Sequence, residues 1–177
     1  MRDFVPTIKQ HFDGLQDRFR IFHHYAFQTE GCFKGELLMI LHQLAANGVI
    51  DDLDREVLFA ARRVDITFSA GQEKHLIELK HWIIGRQRVN TYTPTFYFGD
   101  PSSVGITRDV DKLNDIEGAF CRWLLILLTS NPSTTTWETG LEKFNLKFAP
   151  RHLRAHSNPG DFPPTYFLGL LEVSRTE

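Results

Sequence analysis

Cysteine and long apolar runs are both scarce in this chain, and each scarcity closes off a class of protein. The two cysteines, Cys32 and Cys121, stand far apart and at no metal-ligand spacing, which excludes a disulfide framework and a zinc finger. Both precede or begin apolar segments and read as reduced core thiols, in keeping with a reducing cytoplasm. The longest apolar run, Trp123 to Leu128, is far short of the roughly 20 residues needed to span a bilayer. Met1-Arg2-Asp3-Phe4 is not followed by an apolar signal core. The expectation is a soluble, cytoplasmic protein with no membrane partner. An excess of charge of one sign is also lacking, with 20 Lys+Arg against 22 Asp+Glu and a formal net charge of -2. The total does not advertise nucleic-acid binding, though a local basic patch can still supply it. A phosphate-cradling Gly-rich loop, a dinucleotide fingerprint and a Gly-x-Ser-x-Gly elbow are all missing.

What is present suits one ordinary globular domain over residues 1–177. The apolar fraction is 42% and the charged fraction 24%, enough to bury a core and too mixed for disorder or a coiled coil. Ile8, Phe12, Leu15, Phe19, Phe22 and Tyr25 recur at three- and four-residue intervals, which predicts an amphipathic helix over 6–27 that Gly31 ends. A second helix is predicted over 33–46, closed by Asn47-Gly48. Strands follow over 55–61, 63–68 and 76–82. Residues 85–107 read as a long loop with one short strand at 95–98. A helix is expected over 107–118, a strand buried on both faces over 123–128, a short helix over 137–144, loop over 149–164 and a last strand over 165–173. The order is that of a mixed α/β layer, a sheet flanked by helices.

Charge in the middle of the second and third strands is the most informative feature. Arg63-Val64-Asp65-Ile66-Thr67-Phe68 and Leu76-Ile77-Glu78-Leu79-Lys80-His81-Trp82 each carry it inside an apolar run. Successive side chains on a strand point to opposite faces, so Asp65 opposes Val64 and Ile66, while Glu78 and Lys80 share a face. The polar segment 69–74 between them reads as a hairpin turn, which brings Asp65 close to Glu78 and Lys80. Two carboxylates and an ammonium group converging on a sheet are most economically explained by a bound divalent cation. Adjacent His23 and His24 would point to different faces of a helix and cannot share a metal. His81 faces away from Lys80.

Asp65 on the second strand and Glu78-Leu79-Lys80 on the third, set within a helix, three strands, a helix and a strand, resemble the PD-(D/E)xK nuclease superfamily over residues 33–128. A restriction-endonuclease-like fold is then expected, with α-α-β-β-β-α-β order and C-terminal additions. Many members carry a Glu on the helix before the first strand, and Glu36 in Lys34-Gly35-Glu36 stands there, with Glu30 as a nearby competitor. Asp109-Val110-Asp111-Lys112-Leu113 matches the start of the helix after the third strand. The Pro that often precedes the Asp is replaced by Val64.

The resemblance implies a metal-dependent nuclease acting on DNA. Asp65, Glu78 and the backbone carbonyl of Leu79 would hold Mg²⁺ or Mn²⁺, since hard cations take oxygen ligands. Glu36 would join them as a second ligand or as a water-orienting group. Lys80 would position or deprotonate the attacking water, or stabilise the transition state. Arg63, Arg86, Arg88 and Lys112 are the candidate phosphate contacts. A homodimer or a larger defence or repair complex is the expected assembly. The alternatives are an inactive interaction module of the same fold and an RNA-cleaving or toxin-type nuclease.

Overall fold

The computed structural model describes residues 4–15, 17–18, 21, 30–82, 105–128, 153–155 and 167–173. The elements are α1 (Val5–Asp13), α2 (Glu30–Ala46), β1 (Asp51–Phe59), β2 (Arg62–Ala70), β3 (Glu73–Trp82), α3 (Ile106–Asn114), β4 (Phe120–Leu128), β5 (Leu153–Ala155) and β6 (Phe167–Glu172). The architecture is a mixed α/β fold, a mixed sheet flanked by helices. The strands run in the order β1-β2-β3-β4-β6-β5. β1, β2 and β3 pair antiparallel as a meander. β4 pairs parallel to β3 from Lys74↔Phe120 to Trp82↔Leu128, which requires a crossover, and α3 lies in it. β6 then pairs antiparallel to β4, and β5 to β6.

Local chemistry accounts for the element ends. Pro6 lies in the first turn of α1, where its missing N–H costs nothing. α2 stops at Gly48, φ 64°. There the Gly48 amide donates to the Ala45 carbonyl, and the Val49 amide to the Leu44 carbonyl, the paired bonds of a glycine-closed helix end. β2 and β3 are joined by Gly71 and Gln72 alone. Gly71 takes φ 65°, which a two-residue hairpin demands of one of its central residues. The turn is thus tighter than the segment 69–74, and the strands run further toward it.

Several boundaries differ from the pattern in the sequence. β1 begins at Asp51 and ends before the turn at Ala60 and Ala61, rather than covering 55–61. Its acidic first half hides it from a hydrophobicity reading, and it is stabilised by pairing with β2. Of the helix expected over 6–27, α1 ends at Asp13, residues 17, 18 and 21 are again helical, and 16, 19–20 and 22–27 lie outside the described residues; Gly31 lies inside the first turn of α2. α3 ends at Asn114, short of 118. β5 falls within the stretch expected to be loop. Three residues carry no periodicity, and their strand character comes from pairing with β6. The short strand at 95–98, most of the loop 85–107 and the helix at 137–144 lie outside the described residues.

The two faces of the sheet are built differently. Against one, α1 and α2 pack Phe4, Ile8, Phe12, Phe33, Leu37 and Leu41 onto Ile66, Phe68, Ile77, Leu79, Trp123, Leu125 and Leu127. Phe68 stacks on His75 at 4.8 Å, and the Trp123 indole N–H donates to His75 Nδ1 at 3.0 Å. On the other face, α3 lays Ile106, Val110 and Leu113 over β3 and β4. Trp123 to Leu127 are all buried, as a strand covered on both faces requires. Among the described residues no helix is long and apolar enough to cross a membrane.

Arg122 ties α3 to β4. Buried at 4% exposure, its guanidinium donates to the carbonyls of Leu113, Ile116, Gly118 and Phe120. It thereby closes the C-terminal end of the helix and the turn into the strand, where carbonyls otherwise lack partners. Arg122→Met should cost roughly 3 kcal/mol or more, because several buried acceptors lose a charged donor at once. Thermal melting reads this directly; an unchanged midpoint would mean that water takes over the carbonyls.

Candidate functional site

The β2–β3 ladder runs from Ala70↔Glu73 to Ile66↔Ile77 and then ends. The next pair in that register would be Asp65 and Glu78. At this point the strands part, and the Asp65 carboxylate takes over the work of the ladder: its Oδ2 accepts the Leu79 amide at 2.9 Å. Asp65, Glu78 and Lys80 thus share one face of the sheet at the fork, the face covered by α3. This is the juxtaposition that strand alternation predicts. Leu79 meets Asp65 through its amide, and its side chain is in the core.

Each charged group at the fork meets an opposite charge. Lys34, from α2, places its ammonium 2.5 Å from Asp65 Oδ1 and also donates to Glu56 of β1. Lys112, from α3, donates to Glu78 Oε1. Lys80 lies 2.8 Å from Asp109 Oδ2, again from α3. Glu78 is 6% exposed; among the described residues no donor reaches its Oε2, and when protonated it shares a hydrogen bond with Asp65. A buried carboxylate oxygen without a donor is costly, and it is the feature that fits a cation here.

The two carboxylates are driven apart electrostatically. Burial works to raise Asp65, but hydrogen bonds from Lys34 and the Leu79 amide, with the charge of Lys34, hold it below its ordinary value. Glu78 is pushed up to about 8 by burial and then by the charge of Asp65, against the pull of Lys112. One carboxylate kept ionised beside one that holds a proton is a recurring arrangement in sites that move protons or take up cations.

Among the described residues, the hydrogen bonds of Glu36 run to the N-terminal segment. The residue is buried on the inner stripe of α2, where Arg18 donates to Oε1 and His11 Nε2 lies 3.1 Å from Oε2. None of its hydrogen bonds reaches Asp65, Glu78 or Lys80. The nearer partners from the N-terminal segment satisfy the carboxylate first. Burial, followed by the charge of Arg18, holds His11 below its ordinary pKa. Of the candidate phosphate contacts, Arg63 sits two residues from Asp65 on the same face of β2 with its side chain 70% exposed, 3.8 Å from Glu56. Lys112 is at the fork, and Arg86 and Arg88 lie outside the described residues.

Three participants carry no strand-alternation signal. Lys34 and Glu56 come from other elements. Glu56 faces Asp65 because the β1–β2 register passes from Arg55↔Ile66 to Val57↔Val64, and its φ of 55° is a conformation not readable from a Glu. Asp109 was more accessible to sequence reasoning. It interrupts the apolar stripe of α3, the same signal that marks Asp65.

Among the described residues one group of three metal-type donors lies within 4.8 Å of one another: Glu73, His75 and Cys121. It is on the α1/α2 side of the sheet and does not fit a cation. The Trp123 indole can only donate, so His75 Nδ1 is an acceptor. The proton of the neutral ring then sits on Nε2, leaving no lone pair to ligate.

The proton on Glu78 has a consequence for metal-free stability. A pKa raised on folding from 4.5 to about 8 means that the folded chain binds the extra proton across that window, so stability falls as pH rises through it. His81, buried and lowered from 6.5 to about 4, acts oppositely and adds stability as pH rises to its ordinary value. Above that value Glu78 acts unopposed. The melting temperature of the metal-free protein should therefore drop between pH 6.5 and about 8, and Glu78→Gln should abolish the drop. The same drop in the variant would place the titrating group elsewhere.

No family model matches the chain, and neither a curated protein nor a solved structure is similar to it.

Proposed function

We propose that the chain is a metal-dependent nuclease that hydrolyses phosphodiester bonds in DNA, of PD-(D/E)xK type on a restriction-endonuclease-like fold. The observation that carries this reading is the fork. Asp65, Glu78 and Lys80 meet on one sheet face, with a buried Glu78 oxygen that no donor reaches among the described residues. The element order supports it as well, with an antiparallel meander, a helix and a strand parallel to β3.

Asp65 and Glu78, with the carbonyl of Leu79, would hold Mg²⁺ or Mn²⁺, all oxygen ligands suited to a hard cation. Once bound, the ion supplies charge relief at the phosphoryl oxygens and a more acidic water. To ligate the ion, Glu78 would lose its proton to solvent, and Lys34 and Lys112 would remain as the cationic neighbours of the two carboxylates. Lys80 orients the attacking water or meets the charge of the transition state. Arg63, exposed on the same face, contacts backbone phosphate. Glu36, held by Arg18 and His11, has no part in this reading.

A second reading has its own observation. The pairs Lys34–Asp65, Lys80–Asp109 and Lys112–Glu78 also make a self-contained ion-pair network, as a non-catalytic module would have. Buried pairs add little net stability, so the network by itself does not favour that module.

The decisive experiment incubates the protein with plasmid DNA and with structured RNA, in Mg²⁺, Mn²⁺ or EDTA, beside Lys80→Ala. Nicking that EDTA and the variant both abolish is the expected result. Calorimetry should also find Mn²⁺ binding that releases a proton near pH 7, because Glu78 must ionise, and that Asp65→Ala removes. Cleavage of RNA alone would change the substrate. Neither cleavage nor metal binding would favour the ion-pair module.

A further inference from the structure

We propose that Asp109 is the positioning residue for Lys80. Its carboxylate, carried over the fork by the first turn of α3, holds the Lys80 ammonium where attack on a phosphodiester needs it. This rests on the nuclease reading above.

Glu78 and Lys80 leave β3 on the same face, two residues apart. Left to its own strands, the Lys80 ammonium would be drawn onto Glu78 or Asp65. Both are occupied: Asp65 by Lys34 and the Leu79 amide, Glu78 by Lys112. Lys80 instead lies 2.8 Å from Asp109 Oδ2, with the two side chains 14% and 9% exposed. Asp109 and Lys112 are three apart on α3 and so project from the same side of the helix. A single helix therefore takes both charges of the Glu-x-Lys pair, each with its opposite, and keeps them from collapsing onto one another. That separation leaves Glu78 and Asp65 available to a cation while Lys80 stays beside it.

Asp109 is also an improbable residue for packing. It falls on the stripe formed by Ile106, Val110 and Leu113, all buried. A carboxylate there costs more than a leucine unless its charge is used. At 2.8 Å the ammonium of Lys80 meets Asp109 Oδ2 by charge and by hydrogen bond. Burial pushes the Asp109 carboxyl up, and Lys80 and then Lys112 pull it back.

The test compares the wild type, Asp109→Asn, Asp109→Glu and Lys80→Ala. Asp109→Asn keeps the shape and removes the charge. It should lower kcat for plasmid nicking by roughly 10- to 100-fold, the scale of a misplaced catalytic group. KM for DNA and Mn²⁺ affinity by calorimetry should not change. Asp109→Glu, which restores the charge, should recover part of the loss. Independently of cleavage, Lys80 should be acetylated several-fold faster by N-hydroxysuccinimidyl acetate in Asp109→Asn, read by mass spectrometry, because a lysine released from its ion pair meets the reagent more often. Wild-type cleavage with unchanged kcat and unchanged Lys80 labelling in Asp109→Asn overturns the positioning role alone. A wild type that cleaves nothing, with Lys80 labelling still accelerated, overturns the nuclease reading and leaves Asp109 as a structural partner. Loss of Mn²⁺ affinity in Asp109→Asn overturns the proposal in favour of a general structural role.

Discussion

The bond from the Leu79 amide to the Asp65 carboxylate is the constraint on which the site depends. An antiparallel ladder that continued past Ile66↔Ile77 would pair Asp65 with Glu78 backbone to backbone and set two carboxylates side by side. Instead a side chain substitutes for a backbone acceptor and the strands separate. After the hydrogen bond from Lys34, the bond from the Leu79 amide helps to keep Asp65 ionised, because a carboxylate that accepts an amide N–H is stabilised in its charged form. Once Asp65 is charged, Glu78 next to it is discouraged from ionising. The bond that marks the local break in pairing thus also contributes to the electrostatic asymmetry of the two carboxylates, alongside the burial of Glu78 and the ammonium of Lys34.

The division of labour between the faces of the sheet follows. β4 is buried on both sides, but its Trp123, Leu125 and Leu127 meet an aromatic and aliphatic core supplied by α1 and α2. The buried charge on that side is Glu36, paired with Arg18 and His11. His81, on the same side, is held neutral by burial. The α3 side is different. There an amphipathic helix places one apolar stripe on the sheet and brings Asp109 and Lys112 along its margin to meet Lys80 and Glu78. Arg122 fixes that helix by gathering the carbonyls at its end, so the position of the two charges is set by a buried anchor rather than by the ion pairs themselves. A site whose charged groups are held by packing elsewhere is preorganised, which is what electrostatic catalysis requires.

Much of this could be read from the chain itself. Alternation along a strand put Asp65, Glu78 and Lys80 on one face without reference to any neighbour, because period two is a property of the local backbone. The run Trp123 to Leu128 signalled burial on both sides, and Asn47-Gly48 marked the end of α2, again for local reasons. The acidic start of β1 and the three residues of β5 were opaque, since their strand character exists only through pairing with β2 and β6. Glu36 shows the limit most clearly. Its helix was expected, yet its partners, Arg18 and His11, come from a segment whose approach no local pattern encodes.

The amino-acid order alone therefore settled which residues are candidates for chemistry and which face of which element carries them, since dihedral preference and side-chain period act within a few residues. Tertiary structure decided their company. That Lys34 and Glu56 reach Asp65, that Lys112 takes Glu78, and that Asp109 meets Lys80 all depend on the crossover from β3 to β4 and on the break in the β2–β3 ladder. These are contacts between residues distant in sequence, fixed by packing and charge rather than by any local preference.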